Sequence, residues 1–240
     1  MFKPKIFGKY LLIDKIATGG LGEIYKAKTF EAGGYEKVIA IKTVRPIYSD
    51  AKDIIELFQS EALLSVSLDH PNVVRVFDHG KIKDKHFIAM EYIHGSDLKI
   101  IMKETKEIGT KIPEEISVYI IREVCNALDY IHHKNDPRNA TLSIVHRDIS
   151  PANILVSYDG KIKLIDFGVA KSSMQKEEEG VFVGKLRYAS PEQVEYKEVD
   201  FYSDIFSIFP PCNLSRDMFL AQTPSFIFQS PVTPSSNSLD

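Results

Sequence analysis

The sequence predicts an α+β protein of two lobes, in which a β-rich first lobe precedes a helical second lobe. Up to about Tyr92, short β-leaning runs alternate with turns that contain glycine. After Gly95, apolar residues recur at the spacing of three to four residues that is typical of helices. Beyond Ile208, charged residues become rare and prolines frequent, so the composition of this end differs from that of the two lobes.

The composition is that of an ordinary folded protein and excludes several classes of function. The 240 residues carry 30 basic and 33 acidic side chains, so we expect no nucleic-acid partner. Two cysteines are too few for a disulfide framework and fit a reducing compartment. No run approaches the roughly 18 apolar residues of a membrane span, and the N-terminus lacks the apolar core of a secretory signal. We therefore expect a cytoplasmic protein without a membrane segment, whose oligomeric state the sequence does not indicate.

The first lobe is predicted to contain five strands and one helix. The strands are expected at Tyr10–Ile16, Glu23–Ala27, Val38–Val44, Val73–Phe77 and His86–Tyr92. The helix is expected over Asp50–Leu68, where the apolar residues follow a helical period, with Asp50 or Asp53 as its N-cap. His70-Pro71 follows and ends it.

The second lobe is predicted to begin with two helices. They are expected over Asp97–Lys106 and Pro113–His133, with Pro113 near the start of the second, where proline is favoured. Short strands are expected at Ile154–Val156 and Lys161–Ile165. Further on, Phe209-Pro210-Pro211 is expected to stop a helix that contains Asp204 after about two turns.

Three features of the first lobe have both a structural and a chemical interpretation. The glycines of the turn Gly19–Gly22 commonly serve the backbone of a hairpin, but such a turn also lets backbone amides approach phosphate groups. Lys42 lies in a strand, where a buried ammonium needs an anionic partner, and Glu61 on the following helix could provide it. Both side chains could equally be solvated surface charges.

The most specific motifs lie in the second half of the chain. These are His146-Arg147-Asp148, then Asn153, then Asp166-Phe167-Gly168. Together with the glycine turn, Ala40-Ile41-Lys42, Glu61 and Ser190-Pro191-Glu192 in the same order, they make the sequence resemble the protein kinase family from about Tyr10 to Ser207. The residues in and around these motifs look most like those of bacterial serine/threonine kinases of eukaryotic type.

The resemblance implies a two-lobed protein-kinase-like fold with an incomplete helical C-lobe. It implies an N-lobe over residues 1–93, a partial C-lobe over 94–208, and a non-kinase tail over 209–240 that we expect to be disordered. It also implies transfer of the γ-phosphoryl group of Mg²⁺-bound ATP to a serine or threonine hydroxyl of a protein substrate.

The same resemblance implies a role for each residue of the chemical centre. Asp148 would accept the proton of the substrate hydroxyl. Lys42, oriented by Glu61, would hold the α- and β-phosphates. Asn153 and Asp166 would bind Mg²⁺, which prefers hard oxygen ligands.

The implied nucleotide contacts surround these residues. Met90 would be the gatekeeper beside the adenine, with the backbone of Glu91 and Ile93 bonding its edge and Asp97 near the ribose. Ala40 and Leu155 would sandwich the ring, although plain core packing explains both equally well. The set implied by the resemblance is completed by Ile16, Gly19, Gly22 and Ile24.

The chain departs from the family pattern at several positions. Ala17 replaces the first glycine of the phosphate loop, and Ser150 stands where a lysine usually follows the catalytic aspartate. Lys185 stands where the family usually has threonine, so we hypothesise that Lys185 brings its ammonium group to the same place. The alternative is a solvated lysine.

Two further departures concern the activation segment. One carboxylate of Glu177–Glu179 could replace a phosphate that pairs with Arg147, although a solvated acidic loop explains these residues better. Glu192 has no visible arginine partner, and the early helix stop is expected to leave an exposed apolar patch.

A protein serine/threonine kinase is therefore the leading hypothesis. The first alternative is a pseudokinase-like module that binds ATP without useful turnover, and the second is an inactive truncated fragment. A small-molecule phosphotransferase of the same fold is a weaker alternative, because Ser190-Pro191-Glu192 is typical of protein kinases.

Overall fold

The β-leaning runs of the first part form an antiparallel sheet of the order β1-β2-β3-β4-β6-β5. The structure is a computed structural model that describes residues 2–30, 36–135, 142, 144–167 and 186–208. The strands are β1 (Lys5–Phe7), β2 (Tyr10–Thr18), β3 (Gly22–Phe30), β4 (Glu36–Val44), β5 (Val76–Ile82) and β6 (Lys85–Glu91). Strand β4 lies in the interior of the sheet, between β3 and β6.

Both faces of β4 are buried, which explains its long apolar run. Ile39 and Ile41 pack into one cluster with residues of β2, β3 and β6. Ala40 and Val44 pack into a second cluster on the opposite face. Because side chains alternate along a strand, Lys42 points to the same face as Ala40 and Val44.

That second face is covered by helix α1 (Lys52–Val66). Ile54, Phe58 and Ala62 of α1 belong to the cluster of Ala40 and Val44, and their spacing places Glu61 on the same buried stripe. The N-cap of α1 is Ala51, whose side chain makes no capping hydrogen bond. The expected cap by Asp50 or Asp53 is therefore wrong, although Asp53 lies in the first turn, where a negative charge is favourable.

The second part of the described chain is mainly helical. Its helices are α2 (Leu98–Glu107), α3 (Glu114–His132), α4 (Pro191–Val194) and α5 (Phe201–Ile208). Three short strands, β7 (Gly95–Asp97), β8 (Ile154–Ser157) and β9 (Ile162–Leu164), form a second antiparallel sheet. The apolar stripe of α3 packs against β8 and β9 in a separate core that includes Leu128, Leu164 and Phe167.

Three strands differ from the sequence prediction. The strand expected at Val73–Phe77 is β5 at Val76–Ile82, because residues 73 and 74 connect to the second lobe instead. The amide of Val74 donates to the carbonyl of Leu164, and the amide of Leu164 donates to that of Asn72. Strands β1 and β7 were not predicted, since three residues are too few for alternation to be read.

Several sequence predictions lie beyond the described residues. The helix stop at Phe209-Pro210-Pro211 and the tail over 209–240 belong to this group, so the lobe limits at 93 and 208 stay predictions. An apolar face is exposed on α5, formed by Phe201, Tyr202, Ile205 and Phe206. Among the described residues, no helix is long and apolar enough to cross a membrane.

Gly95 provides a test of the packing between β7 and β8. A Cβ atom at Gly95 would overlap the carbonyl oxygen of Val156, whereas one at Gly20 would meet no atom within 4 Å. We expect Gly95→Ala to lower the free energy of unfolding by about 1–3 kcal/mol, the usual cost of overpacking. The measurement is chemical denaturation, with Gly20→Ala as the matched control. Equal losses of stability in the two variants would contradict this packing.

Candidate active site

An ion cluster joins three elements at the boundary of the two lobes, with Lys42 and Glu61 buried and Asp166 partly buried. Lys42 Nζ lies 2.6 Å from Glu61 Oε1 and 2.8 Å from Asp166 Oδ1. Strand β4 provides the lysine, α1 provides the glutamate, and the segment after β9 provides the aspartate. The structure thus brings Lys42 and Glu61 together and makes neither of them a solvated surface charge.

The protonation of this cluster follows from its burial and its charges. Burial alone lowers the pKa of Lys42, but the negative charges of Asp166 and Glu61 outweigh it and raise that pKa above its ordinary value. Burial raises the pKa of Glu61, and the positive charge of Lys42 only partly opposes this. Lys42 therefore remains an ammonium ion at neutral pH, held at a fixed place.

A second network fixes the loop that contains His146-Arg147-Asp148. The backbone amides of His146 and Arg147 donate to Asp204 Oδ2 and Oδ1, both at 2.8 Å. Nε2 of His132 also lies 2.8 Å from Asp204 Oδ2. The carboxylate of Asp204 is 1% exposed, so these contacts replace the water that it loses. The loop is thereby fastened to α5 and α3.

Asp148 is oriented by Asn153 within the same loop. Nδ2 of Asn153 donates to Asp148 Oδ2 at 2.7 Å and to the carbonyl of Asp148 at 2.8 Å. The carbonyl of Asn153 in turn accepts from the amide of Ile165 at 3.0 Å. Asp148, Asn153 and Asp166 therefore lie on two hydrogen-bonded segments. Asp166 has a φ of 57°, a left-handed conformation that is uncommon outside glycine.

The glycine turn lies close to Lys42. The amide of Gly19 donates to the carbonyl of Gly22 at 2.8 Å, and Gly22 pairs with Val44. A Cβ atom at Gly22 would lie 3.2 Å from the carbonyl oxygen of Thr43 and 3.4 Å from Lys42 Cγ. The absence of a side chain thus lets the turn approach β4. The register places Ile24 opposite Lys42.

Some of the implied nucleotide contacts are brought together and others are not. Ala40 pairs with Met90, and both pack in the cluster that Ile24 borders. Asp97 pairs with Leu155 across β7 and β8, and its carboxylate caps α2 by accepting from the amide of Ile100 at 2.9 Å.

Glu91, Ile16 and Ile93 stand apart from this group. The carboxylate of Glu91 accepts from Lys163 Nζ at 2.6 Å and from the amide of Arg75 at 2.8 Å. Its side chain therefore contacts β9, which contains Lys163. Ile16 is 46% exposed on β2. No described contact joins it or Ile93 to the cluster of Ala40 and Met90.

The departures from the family pattern are only partly visible. Ser150 is completely buried, on the segment between Asp148 and Asn153. Lys185, Gly168 and Glu177–Glu179 lie outside the described residues, so the structure does not address the predictions for them.

Sequence reasoning missed the functions of Asp204 and His132 in fixing the loop. Asp204 carries a readable signal, because an acidic residue inside the apolar run of α5 needs buried partners. His132 carries no such signal, since it ends an amphipathic helix where a histidine is ordinarily solvated. Its partner is known only from the packing of α3 against α5.

Comparison with known proteins agrees with this geometry. The family model described as the protein kinase domain matches residues 10–209. Tyrosine-protein kinase MasK of Myxococcus xanthus is 35% identical over 204 residues, which are 84% of this chain and 32% of that protein. Serine/threonine-protein kinase PrkC of Bacillus subtilis is 33% identical over 206 residues, 85% of this chain and 30% of that protein.

The chain thus spans about a third of the length of these relatives. Among solved structures, the kinase domain of Mycobacterium tuberculosis PknI superposes with a TM-score of 0.64 at 25% identity. The superposition covers 85% of this chain and 72% of that one. It confirms the two-lobed α+β fold that the sequence predicts, and the chain belongs to the protein kinase family.

Proposed function

We propose that this chain transfers the γ-phosphoryl group of ATP to a serine or threonine hydroxyl of a protein substrate. The observation that carries the proposal is the pair of neighbouring clusters, Lys42–Glu61–Asp166 and Asp148–Asn153. One offers a buried positive charge for phosphate oxygens, and the other offers an oriented carboxylate for a hydroxyl proton. The hydrogen bond between Ile165 and Asn153 keeps the two adjacent.

The residues present fit ATP and Mg²⁺. The described residues contain no group of three or more His, Cys, Asp or Glu side chains that could enclose a metal ion. Mg²⁺ does not require one, because it commonly takes one or two protein ligands and completes its shell with phosphate oxygens and water. Asn153 and Asp166 would hold it, and Lys42 would hold the α- and β-phosphates. Bound together, ATP and Mg²⁺ supply the phosphoryl group and neutralise its charge.

The chain's own residues supply position and proton transfer. Asn153 fixes the carboxylate of Asp148 through Nδ2, and Asp148 accepts the proton that the substrate hydroxyl loses. Glu61 prevents Lys42 from moving with its ligand, since both side chains are buried. Such prior orientation is the main contribution that a protein makes to phosphoryl transfer.

We assign the adenine of the nucleotide to the junction of the two lobes. We infer that Met90 is the gatekeeper, that the backbone of Glu91 and Ile93 bonds the adenine edge, and that Ala40 and Leu155 cover its faces. Ile16, Gly19, Gly22 and Ile24 would line the loop above the phosphates, and Asp97 would approach the ribose. We also infer a cytoplasmic location, where ATP is supplied and where the small number of cysteines is appropriate.

We retain the hypothesis that the ammonium group of Lys185 replaces that of the lysine which the family usually has at the position of Ser150. Support comes from the residues that follow it, since the turn Leu186–Tyr188 is fastened to α5 by Ser207, whose Oγ lies 2.6 Å from the carbonyl of Tyr188. Helix α5 also binds the loop of Asp148 through Asp204. The turn that directly follows Lys185 in the sequence is therefore tied to the same helix as the loop of Asp148, which supports the hypothesis.

Asp148 and Lys42 can be tested by separating binding from transfer. Asp148→Asn is expected to lower turnover by about 10²–10⁴-fold, the usual contribution of a general base, while Mg²⁺·ATP still raises the melting temperature. Lys42→Ala is expected to lose both transfer and this rise, measured against its own melting temperature without nucleotide. Lys28→Ala, at an exposed ion pair on β3, serves as the control. Stabilisation of the unaltered chain without any transfer would instead favour the ATP-binding module.

Lys185 is tested by steady-state kinetics. Lys185→Ala is expected to lower turnover more than about tenfold, because a positive charge beside the transferred phosphoryl group stabilises the transition state. Lys197→Ala, at an exposed lysine that pairs with Glu195, is the matched control. Turnover of Lys185→Ala within about twofold of the unaltered chain would reject the hypothesis.

The choice of hydroxyl is tested with three peptides that differ only in serine, threonine or tyrosine at the acceptor position. We expect phosphate transfer to serine and threonine, as the name of PrkC indicates for that relative. The name of MasK indicates tyrosine for the other. Labelled-phosphate incorporation followed by phosphoamino-acid separation measures the preference. Exclusive phosphotyrosine would overturn the serine/threonine assignment and leave the kinase assignment intact.

A further inference from the structure

We propose that Ser203 and Ser207 of α5 are positioning residues that hold the segment 186–193 against the catalytic loop, with Ser203 acting through Glu192. The inference rests on the proposed kinase function. It also gives Glu192 a partner, whereas the sequence predicted a carboxylate without its arginine. In the part of the chain that the structure describes, the carboxylate of Glu192 bonds the hydroxyl groups of Ser203 and Ser190 and the backbone of Glu192 itself.

The first contact joins α4 to α5. Ser203 Oγ donates a hydrogen bond to Glu192 Oε1. Burial raises the pKa of Glu192, but hydrogen bonds from Ser203, from its own backbone and from Ser190 outweigh it and hold the pKa below its ordinary value. Glu192 is therefore an ionised acceptor, which strengthens the bond from the hydroxyl.

The second contact joins the preceding turn to the same helix. Ser207 Oγ lies 2.6 Å from the carbonyl oxygen of Tyr188 and 2.9 Å from that of Ser203. A hydroxyl donates one proton, and the shorter distance favours Tyr188 as its acceptor. Residues four apart share one face of a helix, so both serine hydroxyls point to the segment 186–193. Both serines are buried.

A third contact connects the segment to the catalytic loop directly. Gln193 is fixed by a capping box with Ser190, in which the amide of Ser190 donates to Gln193 Oε1 at 3.0 Å. Nε2 of Gln193 then donates to the carbonyl of Arg147 at 3.0 Å. Arg147 precedes Asp148, so the segment lies beside the place where a substrate hydroxyl must approach the base.

These contacts form a closed circuit around α5. Asp204 binds the amides of His146 and Arg147, while Ser203 and Ser207 on either side of it bind the segment 186–193. Gln193 closes the circuit by bonding the loop to the segment. One helix therefore sets the distance between the base and the surface that faces the substrate, and loss of a serine should loosen that surface alone.

The experiment measures the Michaelis constants of full-length variants for peptide and for ATP. We expect Ser203→Ala to raise the KM for an acceptor peptide about tenfold, the effect of losing one charge-assisted hydrogen bond, and to change the KM for ATP less than twofold. Ser203→Thr keeps the hydroxyl and is expected to restore the peptide KM. Ser117→Ala is the matched control, because Ser117 is a buried serine on α3 whose hydroxyl donates to the carbonyl of Pro113, the N-cap of the same helix.

A double variant tests whether Ser203 acts through Glu192. The combined effect of Ser203→Ala and Glu192→Gln on the peptide KM is expected to be smaller than the product of the two single effects. If Ser203→Ala does not fold, Glu192→Gln alone carries the test, since it keeps the shape of the side chain and removes its charge. A full product of effects, or an equal rise in both Michaelis constants, would overturn the proposal.

Hydrogen exchange separates failure of this proposal from failure of the kinase assignment. Amides of the segment 186–193 are expected to exchange at least tenfold faster in Ser203→Ala and Ser207→Ala than in Ser117→Ala, with or without catalytic activity. If exchange is faster but no peptide is phosphorylated, the positioning role of the two serines is supported and the proposed function fails. Unchanged exchange in both serine variants refutes the positioning role, whatever the activity.

Discussion

The ion cluster of Lys42, Glu61 and Asp166 is the constraint on which the arrangement of the two lobes depends. Burying the charges of Lys42 and Glu61 beside the partly buried Asp166 is costly, and removal of one partner would leave the others without full compensation. The cluster can exist only because α1 packs on the face of β4 that presents Lys42, through the same apolar residues that stabilise the first lobe. The packing of α1 against β4 therefore also sets the position of the Lys42 ammonium group, and a shift of α1 would disturb both.

Much of this could be predicted from local patterns and motifs. The β-leaning run of β4 and the helical period of α1 predicted both elements, and the motif order predicted which charges would meet. The strand expected at Val73–Phe77 failed because Val74 bonds to Leu164, a residue far along the chain. The partners of Glu192 and Asp204 could not be predicted for the same reason, since serine and histidine carry no mark of what they contact. Local periodicity identifies elements, whereas tertiary packing chooses partners.

Helix α5 fixes the loop of Asp148 in the second lobe, as the ion cluster fixes Lys42 in the first. Its buried Asp204 accepts two backbone amides and contacts His132, so the cost of desolvating a carboxylate is offset by bonds that also shape the loop. Arg147 has a φ of 66°, which a bulky residue adopts only when its surroundings require it. The hydrogen bonds from the amides of His146 and Arg147 to Asp204 hold the backbone in this conformation, which turns the following Asp148 toward Asn153.

The two frameworks meet at the end of β9, where three backbone hydrogen bonds lie close together. The amide of Val74 donates to the carbonyl of Leu164, the amide of Leu164 donates to the carbonyl of Asn72, and the amide of Ile165 donates to the carbonyl of Asn153. Asp166 follows directly, so its place is set from the first lobe through Lys42 and from the second through Asn153. Misplacement of reacting groups by even 1 Å can cost about 10²-fold in rate. A site of this kind is therefore sensitive to residues outside it, because backbone hydrogen bonds at the junction, together with the ion cluster, determine the distance between Lys42 and Asp148.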